Sequence, residues 1–128
     1  MSKLEQAQKL RGDTTHHYNC CQSALLPFCA ECGLDEETAC KVAANFGSGM
    51  RHGSTCGAVT GALMALGLAG ADEKKASALI RRFREKNGAL TCAELLAKNT
   101  GDKKTHCDNK VFDAVTIAEE LLSEGETA

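Results

Sequence analysis

Residues 56–68 read Cys-Gly-Ala-Val-Thr-Gly-Ala-Leu-Met-Ala-Leu-Gly-Leu and contain no charged side chain. Apolar side chains would cover every face of a helix here, which is typical of a helix at the centre of a bundle. The uncharged run extends to Ala71 and stays short of the roughly 20 residues that a membrane span needs. We therefore predict a buried helix, with the rest of the chain packed around it and no membrane span.

The composition of the whole chain favours helices and a single domain. The 128 residues include four Phe, one Tyr and no Trp. The core must therefore be built from Ala, Leu, Val and Cys, which pack helices closely. A chain of this length can form one core and is too short for two. We predict one all-α domain over residues 1–128, a compact bundle of five to six helices around the glycine-containing apolar helix.

Capping residues and helix-ending glycines divide the chain into segments. Asp35 and Asp72 are expected to cap two helices, and Gly33 and Gly88 to end two. The predicted helices cover the first dozen residues up to Gly12, His17 to Cys32 with a break at Pro27, Glu36 to Phe46, Cys56 to Leu68, a stretch from Asp72 to Asn87, Cys92 to Lys98, and about Cys107 to Leu122. The glycine-rich stretch 47–53 is predicted to be a flexible connection.

Charge and targeting signals narrow the function classes. The net charge is -2 and the basic residues are dispersed, so nucleic acid is not an expected partner. The N-terminus is charged and lacks the apolar stretch of a secretory signal, which predicts a cytoplasmic protein. The chain has no dinucleotide fingerprint and no phosphate loop, so no organic cofactor is expected. Eight cysteines in a reducing compartment indicate metal binding or redox chemistry rather than a disulfide framework.

Four of the cysteines lie where a helix is predicted to begin: Cys20, Cys56, Cys92 and Cys107. Thr91 is the predicted N-cap before Cys92, with Glu94 reaching back, and Thr105 has the same place before Cys107. Ser54 or Thr55 is the expected cap before Cys56. Unpaired N–H groups and a partial positive charge at a helix start favour thiolate over thiol. We therefore expect these four sulfurs to be prepared for redox or metal chemistry.

The other four cysteines have weaker signals. Cys29 and Cys32 form a C-x-x-C inside a predicted helix, and Cys40 lies among alanines on an amphipathic helix. Free cysteine is a common small core residue, and core packing is the favoured interpretation for all three. Cys21 follows Cys20 directly, and adjacent helical residues point about 100° apart. One of that pair is expected to be a bystander.

Gly57 and Gly61 lie four residues apart on one face of the predicted central helix. Each costs roughly 1 kcal/mol of helix stability relative to alanine. Something must compensate for that cost. We expect either another backbone packed against this face or a bulky group beside Cys56.

Taken in order, these residues carry a family resemblance. The set is Asn19-Cys20, the segment from Cys56 to Met64, Thr91-Cys92 and Cys107. It resembles the family of redox-active proteins named for a C, CGAxxG, C, C pattern, over most of the chain from about Tyr18 to Leu122. The first cysteine of that pattern follows Asn, which selects Cys20 over Cys21. A similar four-cysteine domain is attached to a cytochrome, where it holds an iron–sulfur cluster.

The resemblance implies a small redox protein, and three hypotheses follow for its chemistry. In the first, Cys20, Cys56, Cys92 and Cys107 bind an iron–sulfur cluster, with 2Fe–2S as the expected form, for electron transfer. In the second, the same cysteines carry out thiol–disulfide exchange with no cofactor. In the third they bind structural zinc, although zinc ligands usually come in closely spaced pairs.

Catalytic residues and partners stay open at this point. His52 or His106 could shuttle a proton in thiol–disulfide exchange, but both are expected to be surface residues and no catalytic residue is assigned. His16 and His17 lie close to Cys20 in sequence and could supply a ligand. The candidate partners are a redox partner protein and a second copy of the chain, which would form a homodimer.

Overall fold

The structure is a computed structural model that describes residues 2–124. Its helices are α1 (Lys3–Arg11), α2 (Cys20–Leu25), α3 (Cys29–Cys32), α4 (Glu36–Ala43), α5 (Gly57–Leu68), α6 (Glu73–Asn87), α7 (Cys92–Lys98) and α8 (Lys103–Ser123). The all-α prediction is confirmed. Within the described range there are eight helices, more than the five to six predicted, and an isolated antiparallel bridge between Thr55 and Thr91 stands in place of any strand.

The N-terminal half follows its capping residues. The Asn19 side chain caps α2 by accepting a hydrogen bond from the Gln22 backbone N–H. The Gln22 side-chain oxygen accepts one in turn from the Asn19 backbone N–H. This helix therefore begins at Cys20 and not at His17. The predicted break at Pro27 is confirmed, because Pro27 lies in a 3₁₀ turn that separates α2 from α3. Proline lacks the N–H that a continuing helix would need.

The helix α4 ends at Ala43, three residues before the predicted end. The Asn19 amide explains the early stop, since its Nδ2 donates to the carbonyl oxygens of Ala43 and Ala44 at 3.3 and 3.1 Å. The side chain of the residue that caps α2 thus satisfies carbonyls that a longer α4 would have paired internally. Ala39 and Ala43 are buried, whereas Val42 is 53% exposed.

The two glycines of α5 fit against the backbone of α2. A Cβ at Gly61 would lie 2.4 Å from the carbonyl oxygen of Cys21, and a Cβ at Gly57 would lie 2.9 Å from Cys20 Sγ. Of the two explanations for the glycines, a second backbone packed on this face is therefore confirmed. The helix α5 also contacts α6 and α8, and α8 supplies buried Val111, Val115 and Leu121 to the core.

Stretch 47–53 is a compact turn and not an open connection. Ser48, Met50 and Arg51 have φ angles of 54°, 60° and 67°, and Gly49 lies between them at 63°. These four consecutive residues form a left-handed turn, closed by the Ser54 N–H donating to the Gly49 carbonyl at 2.8 Å. The left-handed conformation costs a non-glycine residue roughly 1–2 kcal/mol. The surrounding contacts must offset that strain.

We expect Met50→Gly to raise the free energy of unfolding by about 1 kcal/mol, because glycine adopts the left-handed region without a Cβ clash. Met50 is 43% exposed, so little packing is lost. Urea denaturation followed by circular dichroism measures the change. The matched control is Arg81→Gly at an exposed right-handed position in α6, which should lower stability by about 1 kcal/mol. Equal losses in both variants would contradict the left-handed turn.

The core and the surface agree with the composition. Most of the buried side chains in the core are Ala, Leu, Val and Cys. Phe28 and Phe83 are the buried aromatic residues among residues 2–124. Among residues 2–124, no helix combines the length and apolar character needed to span a membrane.

Candidate four-cysteine site

Two backbone contacts bring three of the pattern cysteines together. The close packing of α2 on α5 places Cys20 Sγ against Gly57, next to Cys56. The short bridge then joins the chain ahead of α5 to the chain ahead of α7. In it the Cys56 N–H donates to the Leu90 carbonyl at 2.8 Å, and the Cys92 N–H donates to the Ser54 carbonyl at 2.7 Å. Two cysteines separated by 36 positions are thus fixed by reciprocal hydrogen bonds.

The fourth cysteine comes from α8, and all four line one small cavity. The cavity has a volume of about 20 Å³, which is room for about one water-sized atom. Its remaining walls are formed by Gly57, Leu95, Leu96, His106 and Lys110. Cys56 is 6% exposed, and the other three pattern cysteines are partly buried. Residues that are remote along the chain therefore meet at one place in the fold.

The predicted helix starts are confirmed at three of the four cysteines, Cys20, Cys56 and Cys92. Cys20 and Cys92 are the first residues of α2 and α7, capped by Asn19 and Thr91. Cys56 is itself the N-cap of α5, and no side chain caps that helix, so Ser54 and Thr55 do not have the predicted role.

Cys107 does not lie at a helix start, and that prediction is wrong. The helix α8 begins at Lys103, because Asp102 caps it by accepting from the Thr105 N–H at 3.0 Å. The Thr105 hydroxyl donates to the same carboxylate, so Thr105 supports the cap and does not form one. Cys107 reaches the cavity from the second turn of α8.

Burial is the largest influence on the pKa of three of these thiols, Cys56, Cys92 and Cys107. It raises the pKa of Cys56 to about 12, although the Ala58 and Val59 N–H groups act in the opposite direction. Burial also raises the pKa of Cys92 and of Cys107. At Cys56 and Cys92, which lie at helix starts, burial therefore opposes the expected preference for thiolate. A helix-terminal N–H is a local effect, and loss of water around a charged sulfur outweighs it.

The four sulfurs also act on one another. After burial, the charge of Cys20 is the next cause that raises the pKa of Cys92 and of Cys107, and it contributes at Cys56. Arg11 lowers the pKa of Cys107, and Lys103 lowers that of Cys92 and of Cys107. Negative charge on several sulfurs at once thus needs a cation nearby.

The donor set is suited to a metal, but it is not arranged as a finished metal site. Within the described range, no group of three or more His, Cys, Asp or Glu side chains stands close enough to hold a metal ion. All eight cysteines are free thiols. The four pattern cysteines share a cavity without standing at ligand positions.

Comparison with known protein families identifies the family of this chain. The family model described as "Putative redox-active protein (C_GCAxxG_C_C)" matches residues 18–121. The chain belongs to this family. The motif in this description is Gly-Cys-Ala-x-x-Gly, so the form Cys-Gly-Ala-x-x-Gly given above for the family is corrected; this chain has Cys56-Gly57-Ala58 at that place. No curated protein and no solved structure matches the chain.

The cysteines outside the family pattern do not line the cavity. Cys21 is buried, which raises its pKa to about 12, and its Sγ lies 3.9 Å from Met64 Sδ. Cys29 is fully buried, and burial raises its pKa to about 11. Cys32 and Cys40 are partly buried on α3 and α4. The predicted core packing is confirmed for Cys29 and Cys40, whereas Cys32 is not among the residues packed against the core. All four cysteines supply natural controls for experiments on the family cysteines.

The sequence predicted His106 to be a surface residue, but it lies at the site. His106 lines the sulfur cavity, and burial followed by the charge of Lys110 lowers its pKa. Its neutral ring is therefore favoured beside the cysteines. The signal was its place directly before Cys107. His52 is exposed directly after the left-handed turn, and His16 is exposed before α2.

Proposed function

We propose that Cys20, Cys56, Cys92 and Cys107 bind an iron–sulfur cluster, with 2Fe–2S as the expected form, and that the protein transfers single electrons. One observation carries the proposal: four family cysteines from four separate elements line the same cavity. Cysteine thiolates are the usual ligands of such clusters. When bound, the cluster supplies a one-electron redox couple, and a redox partner protein is the expected donor or acceptor.

The raised pKa of Cys56 favours a metal centre over thiol–disulfide exchange that begins at this thiol. The nucleophile in that exchange is a thiolate, and a thiol with a pKa of about 12 is almost fully protonated at neutral pH. Cys56 would therefore be a poor attacking group. A metal ion removes this obstacle because it displaces the proton from a coordinating thiol.

The groups around the sulfurs suit an anionic centre. Arg11 and Lys103 lie close enough to lower the pKa of Cys107, and the first N–H groups of α5 do the same for Cys56. Hydrogen bonds and positive charge near cluster sulfurs stabilise added negative charge and raise the reduction potential. The cysteine side chains would have to turn inward to become ligands, and three of them are only partly buried.

The deciding experiment is elemental and spectroscopic analysis of the full chain purified without oxygen. We expect visible absorption bands with equimolar iron and acid-labile sulfide. Stoichiometric zinc with no iron would instead support the structural zinc hypothesis. A colourless, metal-free protein with a titratable disulfide would support the thiol–disulfide hypothesis. Either of the last two results would contradict the proposed cluster.

A further inference from the structure

A second, larger pocket adjoins the sulfur cavity and shares two of its cysteines. It has a volume of about 440 Å³, within the range of sites that bind small molecules. Its lining consists of Arg11, His17, Asn19, Cys20, Ser48, Lys103, Lys104 and Cys107. We infer that this pocket binds a small oxyanion, a molecule that carries a carboxylate or phosphate group, in contact with Cys20 and Cys107.

The charge of the lining supports this choice of ligand. Three of the eight lining residues, Arg11, Lys103 and Lys104, are basic, and none is a carboxylate. Asp108 does not line the pocket. Its carboxylate accepts from Arg11 Nε at 2.7 Å and from Lys104 Nζ at 2.9 Å, which offsets part of the positive charge of these two residues. Lys103 is exposed and has no carboxylate partner within residues 2–124. A net positive, concave surface concentrates small anions.

Arg11 is held in place and not loosely disposed. Its side chain is 10% exposed, and its Nη1 donates to the Tyr18 carbonyl at 2.9 Å. Lys104 Nζ donates in turn to the Arg11 carbonyl at 3.1 Å. The positive wall is therefore preorganised, which lowers the cost of binding. Binding of an anion to this pocket needs only these residues. A role for the pocket in selecting anionic reactants at the four cysteines rests on the proposed function.

Paired alkylating reagents test the inference on the full chain after reduction and chelation. Iodoacetate is anionic and iodoacetamide is neutral. The same thiolate attacks the iodomethyl carbon of either reagent and displaces iodide, so the ratio of the two rates cancels differences in thiol acidity. Mass spectrometry reports the ratio at each cysteine. We expect the ratio at Cys20 and Cys107 to exceed that at Cys32 by about fivefold at low salt. Inorganic phosphate should slow iodoacetate at Cys107 and leave Cys32 unaffected.

Variants of an exposed lysine separate the pocket from the general charge of the protein. Lys103→Gln should lower the ratio at Cys107 by about twofold, and Lys103→Glu should lower it further. Lys74→Gln removes an equivalent charge from an exposed position on α6 and should change nothing. Equal ratios at Cys107 and Cys32, or no response to the Lys103 variants, would overturn the inference. Metal content plays no part in this test, so an iron-free protein could still confirm the pocket.

Discussion

Gly61→Ala is expected to lower the free energy of unfolding by about 3 kcal/mol, the upper range for an overpacked core. The new Cβ would lie 2.4 Å from the Cys21 carbonyl oxygen and 2.9 Å from Ala24 Cβ. A backbone carbonyl inside a helix cannot rotate aside, so α2 and α5 would have to separate. Urea denaturation followed by circular dichroism measures the loss.

Gly67→Ala is the matched control, since it makes the same change in the same helix. A Cβ at Gly67 meets no atom within 4 Å, and alanine is the better helix former. This variant should gain about 0.5 kcal/mol. If both alanine variants had the same stability, the close approach of α2 to α5 would be contradicted.

The Gly61 variant also links the fold to the site. The helix α2 carries Cys20 at its first position, and the contact with α5 is what places that sulfur beside Gly57. Moving the two helices apart would therefore withdraw Cys20 from the cavity. The glycines of the central helix act on the site through this spacing and need no direct contact with a ligand.

Local signals in the sequence predicted most helices and failed where two caps compete. Asp72 caps the start of α6 and Gly88 ends it, as predicted. Each end of this helix has one clear capping residue. Before Cys107 the chain offers Asp102 and Thr105, three residues apart. Either can cap a helix, and the structure uses Asp102. The choice depends on where α8 packs, which local sequence does not contain.

The grouping of the four cysteines was predictable from the family pattern, but their acidity was not. A capping argument concerns one turn of helix, whereas burial of Cys56 depends on every element around it. The positive pocket was missed for the same reason. Arg11 and His17 are far from Lys103 in sequence, and no spacing rule joins the end of α1 to the start of α8.

Stretch 47–53 shows a different limit of prediction. Its glycines suggested a flexible connection, yet three of its non-glycine residues hold left-handed angles. Local propensity opposes that conformation, so only contacts can impose it. A Cβ at Gly49 would lie 2.8 Å from Cys92 Cβ and closer still to Ser54. The turn is therefore packed against the site, where strained backbone is often found.

Cys56→Ala is expected to abolish iron binding if the proposed cluster is correct. Cys56 is the most buried of the four family cysteines at 6% exposure, and alanine offers no replacement ligand. Loss of an outer partner of a metal ligand already costs about 10–100-fold in affinity, and loss of a ligand should cost at least the upper value. Iron per chain and visible absorption after anaerobic reconstitution measure the effect.

Cys32→Ala tests whether the effect belongs to the site or to any cysteine. Cys32 is partly buried on α3, lies outside the family pattern and does not line the sulfur cavity. It should retain full iron and unchanged absorption. Denaturation curves for both variants show whether either has unfolded. Loss of iron from folded Cys32→Ala, or full iron in folded Cys56→Ala, would contradict the proposed ligands. Removing a ligand must lower iron binding, whereas removing a cysteine outside the site must leave it unchanged.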